Sequence, residues 1–189
     1  MTSERLRQTP SQTVGPFFGY ALPFPGGAQL VPAGAAGAIT VHGTVTDGEG
    51  EPIPDALLEW WQPDAAGRIS QRDGSRAREL GRFTGFGRIT VDLGGHYELT
   101  TLLPGAVAPS TAPWALVTVF ARGLLHHLFT RAYLVGADDP VPADPLLDRI
   151  DPARRETLLA RADGPSSYRF DLRLQGDRET VFLDYAEPV

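Results

Sequence analysis

The sequence of 189 residues contains no cysteine, no lysine and no asparagine. Without cysteine, disulfides, thiolate nucleophiles, zinc ribbons and iron–sulfur clusters are all excluded. Without asparagine, the chain has no acceptor for N-glycosylation. Every basic side chain apart from histidine is an arginine, a bias typical of a GC-rich genome that points to no particular function.

Long apolar runs and an excess of positive charge are also missing. No segment approaches the roughly 20 apolar residues that cross a bilayer, and the first eight residues, MTSERLRQ, do not resemble a secretory signal. Seventeen basic and 23 acidic residues give a net charge of −6, which argues against nucleic acid or an anionic membrane as a partner. We expect a cytoplasmic protein whose residues 1–189 form a single domain.

Short strand patterns separated by Gly, Pro and Asp dominate the chain. Leu93-Gly94-Gly95 predicts a hairpin between two of these strands. The sequence as a whole predicts an all-β fold, an antiparallel β-sandwich with long loops and one or two short helices. The predicted strands cover residues 38–46, 56–62, 86–92, 96–101, 113–121, 131–135, 168–174 and 179–184.

One segment in the C-terminal third carries the signals of a helix. Asp151 is a candidate N-cap, and Pro152 suits the first helical position. Arg155, Leu158 and Leu159 continue at helical spacing through Arg161. Further towards the N-terminus, the glycine-rich segment 26–37 predicts a surface loop.

The decapeptide at residues 9–18, TPSQTVGPFF, differs from an ordinary frayed terminus. Two prolines and a glycine fix its backbone, and two adjacent phenylalanines require burial. We therefore expect residues 1–37 to form an arm and loop that docks on the core of the domain or on a partner.

Sequence patterns for independent catalysis are absent. The chain has no Gly-x-Ser-x-Gly elbow, P-loop or His-Glu-x-x-His motif, and Thr90 stands where a dinucleotide fingerprint beginning at Gly85 needs its third glycine. His126 and His127 are adjacent and would point to opposite faces of a strand, so we expect no shared metal. His42 and His96 are isolated in the sequence.

Several segments occur in a fixed order from Thr9 to Tyr185. They are TPSQTVGPFF, FGRITVD at Phe86, LPG at Leu103, FARG at Phe120, TRAYL at Thr130, RRETL at Arg154 and YRFDLRLQGDRETVFLDY at Tyr168. Together these segments resemble the intradiol ring-cleavage dioxygenases and most closely their alpha chains. The resemblance implies a β-sandwich enzyme in which two tyrosines and two histidines bind non-haem ferric iron.

The four positions that match the family's iron ligands carry Ile69, Val107, Trp114 and Leu116. None of these side chains offers a lone pair to a metal ion. The resemblance therefore implies that this chain binds no iron and is inactive alone. It also implies a partner, a beta chain that binds the Fe(III), in a large alpha–beta hetero-oligomer.

The resemblance further implies that Thr13, Gly15, Pro16 and Arg122 contribute to a substrate pocket between the two chains. A guanidinium suits the carboxylate of an aromatic acid, and glycine lets the backbone approach a planar ring. Phe17 is expected to pack in the core. The implied reaction is the opening of protocatechuate between its hydroxyls with O2, which yields 3-carboxy-cis,cis-muconate in aromatic catabolism.

Two alternatives stay open. The chain could be a non-catalytic β-sandwich binding or scaffold module, or an autonomous intradiol dioxygenase with relocated ligands. The charged face of the segment 168–174, formed by Arg169, Asp171 and Arg173, is expected to be solvated. The tyrosines available for relocation are Tyr20, Tyr97, Tyr133, Tyr168 and Tyr185, each of which core packing or a hydroxyl hydrogen bond would explain.

Overall fold

The structure, a computed structural model, describes residues 9–15, 17–69 and 82–184. This part of the chain contains one short α-helix, α1 (Phe18–Ala21), and two 3-10 helices, Leu147–Arg149 and Pro152–Leu158. None of its helices is long and apolar enough to cross a membrane. Its strands are β1 (Ala38–Thr46), β2 (Leu57–Trp61), β3 (Phe86–Thr90), β4 (His96–Leu102), β5 (Ala115–Phe120), β6 (Leu128–Val135), β7 (Leu159–Gly164), β8 (Ser167–Arg169) and β9 (Leu172–Arg173).

The strands pair in the order β3-β2-β5-β6-β7-β8-β1-β4, with β9 beside β1. The β-rich fold is confirmed, but the pairing is mixed. Five pairs are antiparallel, whereas β1–β8, β1–β9 and β6–β7 are parallel. The connection from Val135 to Leu159 is longer than the dozen or so residues that a parallel pairing needs, and it contains both 3-10 helices.

A core common to both ends of this strand path holds the fold together. Alternate residues of β1 are buried, as its apolar alternation predicts. They pack in one cluster with side chains of β2, β3, β4 and β5. The strands at the two ends of the path, β3-β2-β5 and β1-β4, therefore enclose the same apolar interior. The largest fully buried side chains in it are Trp60, Tyr97 and Phe170.

The predicted hairpin at Leu93-Gly94-Gly95 is wrong, although the turn is present. Asp92 Oδ1 accepts hydrogen bonds from the backbone N–H groups of Gly94 (2.8 Å) and His96 (2.9 Å). However, β3 pairs with β2 and β4 pairs with β1, so this turn joins the two ends of the strand path. Turn residues predict a local reversal, but the strand partners depend on distant parts of the chain.

The predicted helix after Asp151 is only partly correct. The Asp151 carboxylate accepts from the Ala153 backbone N–H at 2.9 Å and so caps the segment, as expected. The helix is of the 3-10 type and ends at Leu158, because Leu159 pairs with Tyr133 and starts β7. Sheet pairing thus replaces the last predicted helical turn.

The C-terminal strands also differ from prediction. Burial alternates as predicted from Tyr168 to Leu172 but not at Arg173 and Leu174, and the strand is interrupted between Arg169 and Leu172. Residues 179–184 form no strand, and Leu183 forms an isolated β-bridge with Phe129. Tyr185 lies outside the described residues.

The segment 26–37 is not merely a surface loop. Leu30 and Val31 are buried, and the Leu30 N–H donates to Thr100 O at 2.8 Å. Arg88 Nη1 donates to Leu22 O at 2.8 Å, which ties the preceding chain to β3. The apolar pair Leu-Val within the glycine-rich sequence is the signal for this burial.

Candidate functional site

Two segments that the sequence separates by more than 100 residues meet at the N-terminal arm. Gly123 donates its backbone N–H to Thr13 Oγ1 at 3.3 Å. Ser11 Oγ and His126 Nε2 form a second hydrogen bond of 3.0 Å. The structure therefore brings Thr13 beside the loop that carries Arg122. Pro16 lies outside the described residues.

Gly15 adopts a backbone conformation that favours glycine. Its φ angle is +74°, in the left-handed region that other residues seldom occupy. A Cβ atom added there would meet no atom of the described chain within 4 Å. The backbone conformation at Gly15, and not crowding within its own chain, thus accounts for the glycine.

Arg122 follows β5 and has a carboxylate partner that the sequence did not predict. Its Nε donates to Asp55 Oδ2, and its side chain remains 62% exposed. Because a guanidinium has five N–H donors, the Nε contact leaves the terminal nitrogens available to a second acceptor. Asp55 lies 67 residues earlier in the chain, so no local spacing signalled this pair.

A cleft of about 140 Å³ lies between the arm and the loop after β5, but neither Thr13 nor Arg122 lines it. The two histidines there have different surroundings: His126 contacts the arm, whereas the His127 ring lies between Phe120 (5.6 Å) and Phe129 (4.6 Å between centroids). The cleft is lined by Gln12, Val14, Phe120, Ala121, Leu124, Leu125, His126 and His127.

Large apolar side chains are exposed along the same arm and loop. The two neighbouring phenylalanines separate, because Phe18 is buried whereas Phe17 is 76% exposed. The expected core packing of Phe17 is therefore wrong, since α1 directs only Phe18 inwards. Tyr20, Val14 and Leu125 are also exposed, and the last two line the cleft.

Two of the positions that match iron ligands in the family, Ile69 and Val107, lie on loops that pack together. A Cβ atom on Gly67 would lie 2.0 Å from the carbonyl oxygen of Ala106, so only glycine permits this contact. Gly105 also donates its N–H to Asp64 O at 2.9 Å. Ile69 and Val107 themselves are 41% and 37% exposed.

The other two positions, Trp114 and Leu116, share one face at the start of β5. They are half-buried, whereas Ala115 and Val117 between and after them are buried in the core. Leu116 pairs across the sheet with Arg131, and the Arg131 Cζ lies 4.0 Å from the centroid of the Trp114 ring. A cation thus stacks on the indole, an arrangement that stabilises both groups.

A buried polar network continues from this cation. Arg131 Nη1 donates to Tyr133 Oη at 3.3 Å, and Tyr133 donates to Asp144 Oδ1 at 3.0 Å. Asp144 is 1% exposed and also accepts from the N–H groups of Ala112 (3.2 Å) and Leu146 (2.8 Å). Burial raises the pKa of Tyr133 to about 12, against the lowering effect of Arg131. The alternation of Arg131 and Tyr133 within TRAYL is the signal that sequence reasoning missed.

The donor set does not suit a metal ion. Within residues 9–15, 17–69 and 82–184, no group of three or more histidine and carboxylate side chains is arranged to hold one. His42 Nε2 and Asp163 Oδ2 form a hydrogen bond of 2.8 Å instead. At the four positions that match the family's ligands, no side chain has a donor for iron.

Comparison with known proteins gives consistent matches. Residues 28–117 match the family model described as Dioxygenase. The protocatechuate 3,4-dioxygenase alpha chain of Burkholderia cepacia is 40% identical over 195 residues, which cover 95% of this chain and 98% of that protein. The beta chain from the same organism is 31% identical and covers 73% of this chain and 64% of its own length.

A solved structure supports the fold. The dioxygenase domain of a dioxygenase–carbohydrate-binding fusion from Streptomyces sp. SirexAA-E has a TM-score of 0.55 and 27% sequence identity. The match covers 90% of this chain and 99% of that domain.

Proposed function

Because the chain belongs to the intradiol dioxygenase family and matches its alpha chains over nearly its full length, we propose that it forms one side of a substrate pocket whose iron is bound by a beta subunit. The chain is thus an alpha subunit of an intradiol dioxygenase in an alpha–beta assembly. The substrate is protocatechuate, which is opened between its two hydroxyls with O2.

The observation that carries this proposal is the docked arm. Thr13 accepts a hydrogen bond from the loop of Arg122, and Phe17 and Tyr20, which follow the arm in the chain, are exposed. Exposed apolar groups beside polar ones are typical of protein interfaces. The single-domain organisation of residues 1–189 and a role of the arm within residues 1–37 in binding the partner are parts of the same proposal.

The iron is assigned to the partner because the side chains of this chain at the four ligand positions cannot coordinate a metal ion. The four positions that match ligands hold Ile69, Val107, Trp114 and Leu116, and the Arg131 guanidinium on Trp114 adds a positive charge that repels a metal cation. When bound to the beta subunit, ferric iron makes the aromatic diol reactive towards O2. This chain's own task is to bind and orient the substrate.

Arg122 would bind the substrate carboxylate. A guanidinium can hold one acceptor at Nε and a second carboxylate through its terminal nitrogens, so Asp55 and the substrate can share it. The Thr13 hydroxyl, which accepts from Gly123, keeps its own proton to donate. Positioning and electrostatics of this kind contribute orders of magnitude to rates.

Expression of the chain with and without the beta subunit tests the proposal. We expect iron and the visible absorption of tyrosinate bound to iron in the complex, and neither in the isolated chain. Colour in the isolated chain would contradict the assignment and favour an autonomous enzyme with relocated ligands. Failure to form a complex would favour a scaffold module.

A further inference from the structure

A second pocket, of about 240 Å³, lies where β9 meets the end of β1. This volume is below the roughly 300–1,000 Å³ of pockets that hold drug-sized molecules, so the ligand must be small. Its lining combines polar and apolar groups and includes two arginines that belong to the C-terminal sequence block. The residues that matter are Thr44, Thr46, Thr157, Thr180, Arg173 and Arg178.

Neither Arg173 nor Arg178 forms an ion pair with a carboxylate of the described residues, although the chain has an excess of acidic side chains. Most other described arginines do have such a partner. These are Arg68, Arg88, Arg122, Arg131, Arg154, Arg161 and Arg169. Two unpaired guanidinium groups in one pocket therefore indicate a place for an anion from outside the chain.

The position of Arg173 is fixed by its surroundings. Its backbone N–H donates to Thr180 Oγ1 at 3.0 Å and its carbonyl accepts from Thr180 N at 2.9 Å, while Nη2 donates to Gly48 O. Its Nε is buried and has no hydrogen-bond partner in the described part of the chain. A buried N–H without an acceptor is destabilising, so an acceptor brought by a ligand would stabilise this arrangement.

The pocket's one carboxylate is already engaged. Asp171 accepts from Arg169 Nε at 2.8 Å and from Thr44 Oγ1 at 3.0 Å. It therefore pairs with Arg169, and no other described carboxylate compensates the charges of Arg173 and Arg178. The Thr180 hydroxyl accepts from Arg173 N, which leaves its proton for a ligand.

We propose that this pocket binds a small oxyanion, either inorganic phosphate or the carboxylate of a small organic acid, through Arg173, Arg178 and the Thr180 hydroxyl. Planar guanidinium groups match the paired oxygens of both chemical groups. The charged face of YRFDLRL, expected to be solvated, is thus divided: Asp171 pairs with Arg169, and Arg173 faces the pocket.

Isothermal titration calorimetry of the alpha–beta complex tests the site, with inorganic phosphate in one arm and succinate in the other. We expect saturable binding of at least one probe, and the probe that binds with the higher affinity identifies the ligand class. Arg178→Gln and Arg173→Gln should each weaken binding at least about tenfold, which corresponds to about 1.4 kcal/mol. Arg149→Gln, which removes an exposed arginine outside the pocket, should bind as the unmodified protein does.

Arg178 is exposed, so its replacement leaves the fold intact and keeps the test decisive even if Arg173→Gln does not fold. The proposal is overturned if the complex binds neither probe saturably, or if Arg178→Gln binds with unchanged affinity. Binding by the isolated chain but not by the complex would also overturn it, because an acidic group of the partner would then occupy the pocket.

Discussion

Arg122 keeps most of its side chain exposed while its Nε donates to Asp55. If Arg122 binds the substrate carboxylate, the substitution Arg122→Ala should lower kcat/KM for protocatechuate about 10- to 100-fold. The reason is that a hydrogen bond to a charged group contributes roughly 1.5–3 kcal/mol. The iron content of the complex should not change. Steady-state kinetics and metal analysis of the reconstituted complex measure both quantities.

The matched control is Arg154→Ala, which removes another partly exposed arginine with a carboxylate partner, Glu179. Its kinetics should equal those of the unmodified complex. Unchanged kcat/KM in Arg122→Ala would show that Arg122 serves only its surface pair with Asp55.

Tyr133 gives a residue-scale prediction on pH dependence. Burial raises its pKa to about 12, above the value of 10 in an unfolded chain, so the folded state holds this proton more tightly. The free energy of unfolding must therefore fall as the pH rises from 10 to 12, by at most about 2.7 kcal/mol for this group at 1.36 kcal/mol per pKa unit. Because lysine and cysteine are absent, tyrosines are the side chains that titrate in this window.

Tyr133→Phe should reduce that alkaline loss of stability, as measured by urea unfolding at pH 9, 10 and 11. Part of the loss remains, because burial also raises the pKa of Tyr97 well above its usual value. Tyr20→Phe removes an exposed hydroxyl and should keep the original pH dependence. An identical slope in Tyr133→Phe and the unmodified chain would contradict the assignment.

At the scale of elements, Gln62 connects β2 and β4, which lie near opposite ends of the strand path. It follows β2, and its Oε1 accepts from Trp60 Nε1 (2.7 Å) and from Thr101 Oγ1 (2.9 Å) in β4. Its Nε2 donates to Leu102 O at 2.9 Å. One buried side chain therefore provides hydrogen-bond partners for polar groups of both strands.

Replacing this amide by an apolar group should destabilise the fold strongly. Gln62→Leu leaves the Trp60 N–H, the Thr101 hydroxyl and the Leu102 carbonyl without this partner, and we expect a loss of about 3 kcal/mol in the free energy of unfolding. Denaturant unfolding measures it, with Gln175→Leu at an exposed turn as the control. A loss below about 1 kcal/mol would mean that water replaces the amide.

The elements also show what a sequence can predict. The alternation of apolar and polar residues located β1 correctly, because a strand with one buried face places every second side chain in the core. Neither β7 nor the separate partners of β3 and β4 were predicted, because LARADG has little apolar character and pairing depends on distant strands. At the site, the resemblance supplied Thr13 and Arg122, but neither the Asp55 contact nor the stacking of Arg131 on Trp114 has a local pattern.

At the scale of the whole molecule, a net charge of −6 coexists with a local apolar surface. Val14, Phe17, Tyr20 and Leu125 are all exposed on the N-terminal arm, α1 and the loop after β5. Large apolar groups exposed in this way are typical of a surface that a partner covers. The proposed function assigns this surface to the beta chain of the alpha–beta assembly.

Phe17→Asp should therefore weaken the alpha–beta complex while the alpha chain itself stays folded, because Phe17 is 76% exposed and contributes little to the core. A buried interface aromatic contributes about 2 kcal/mol or more, so the dissociation constant should rise at least about 30-fold. Analytical ultracentrifugation measures the association and circular dichroism checks the fold. Leu93→Asp places the same charge at a residue that is 87% exposed in the turn between β3 and β4, and it should assemble normally. Equal assembly of both variants would place the partner on another face, whereas dissociation of both would mean that added charge alone separates the chains.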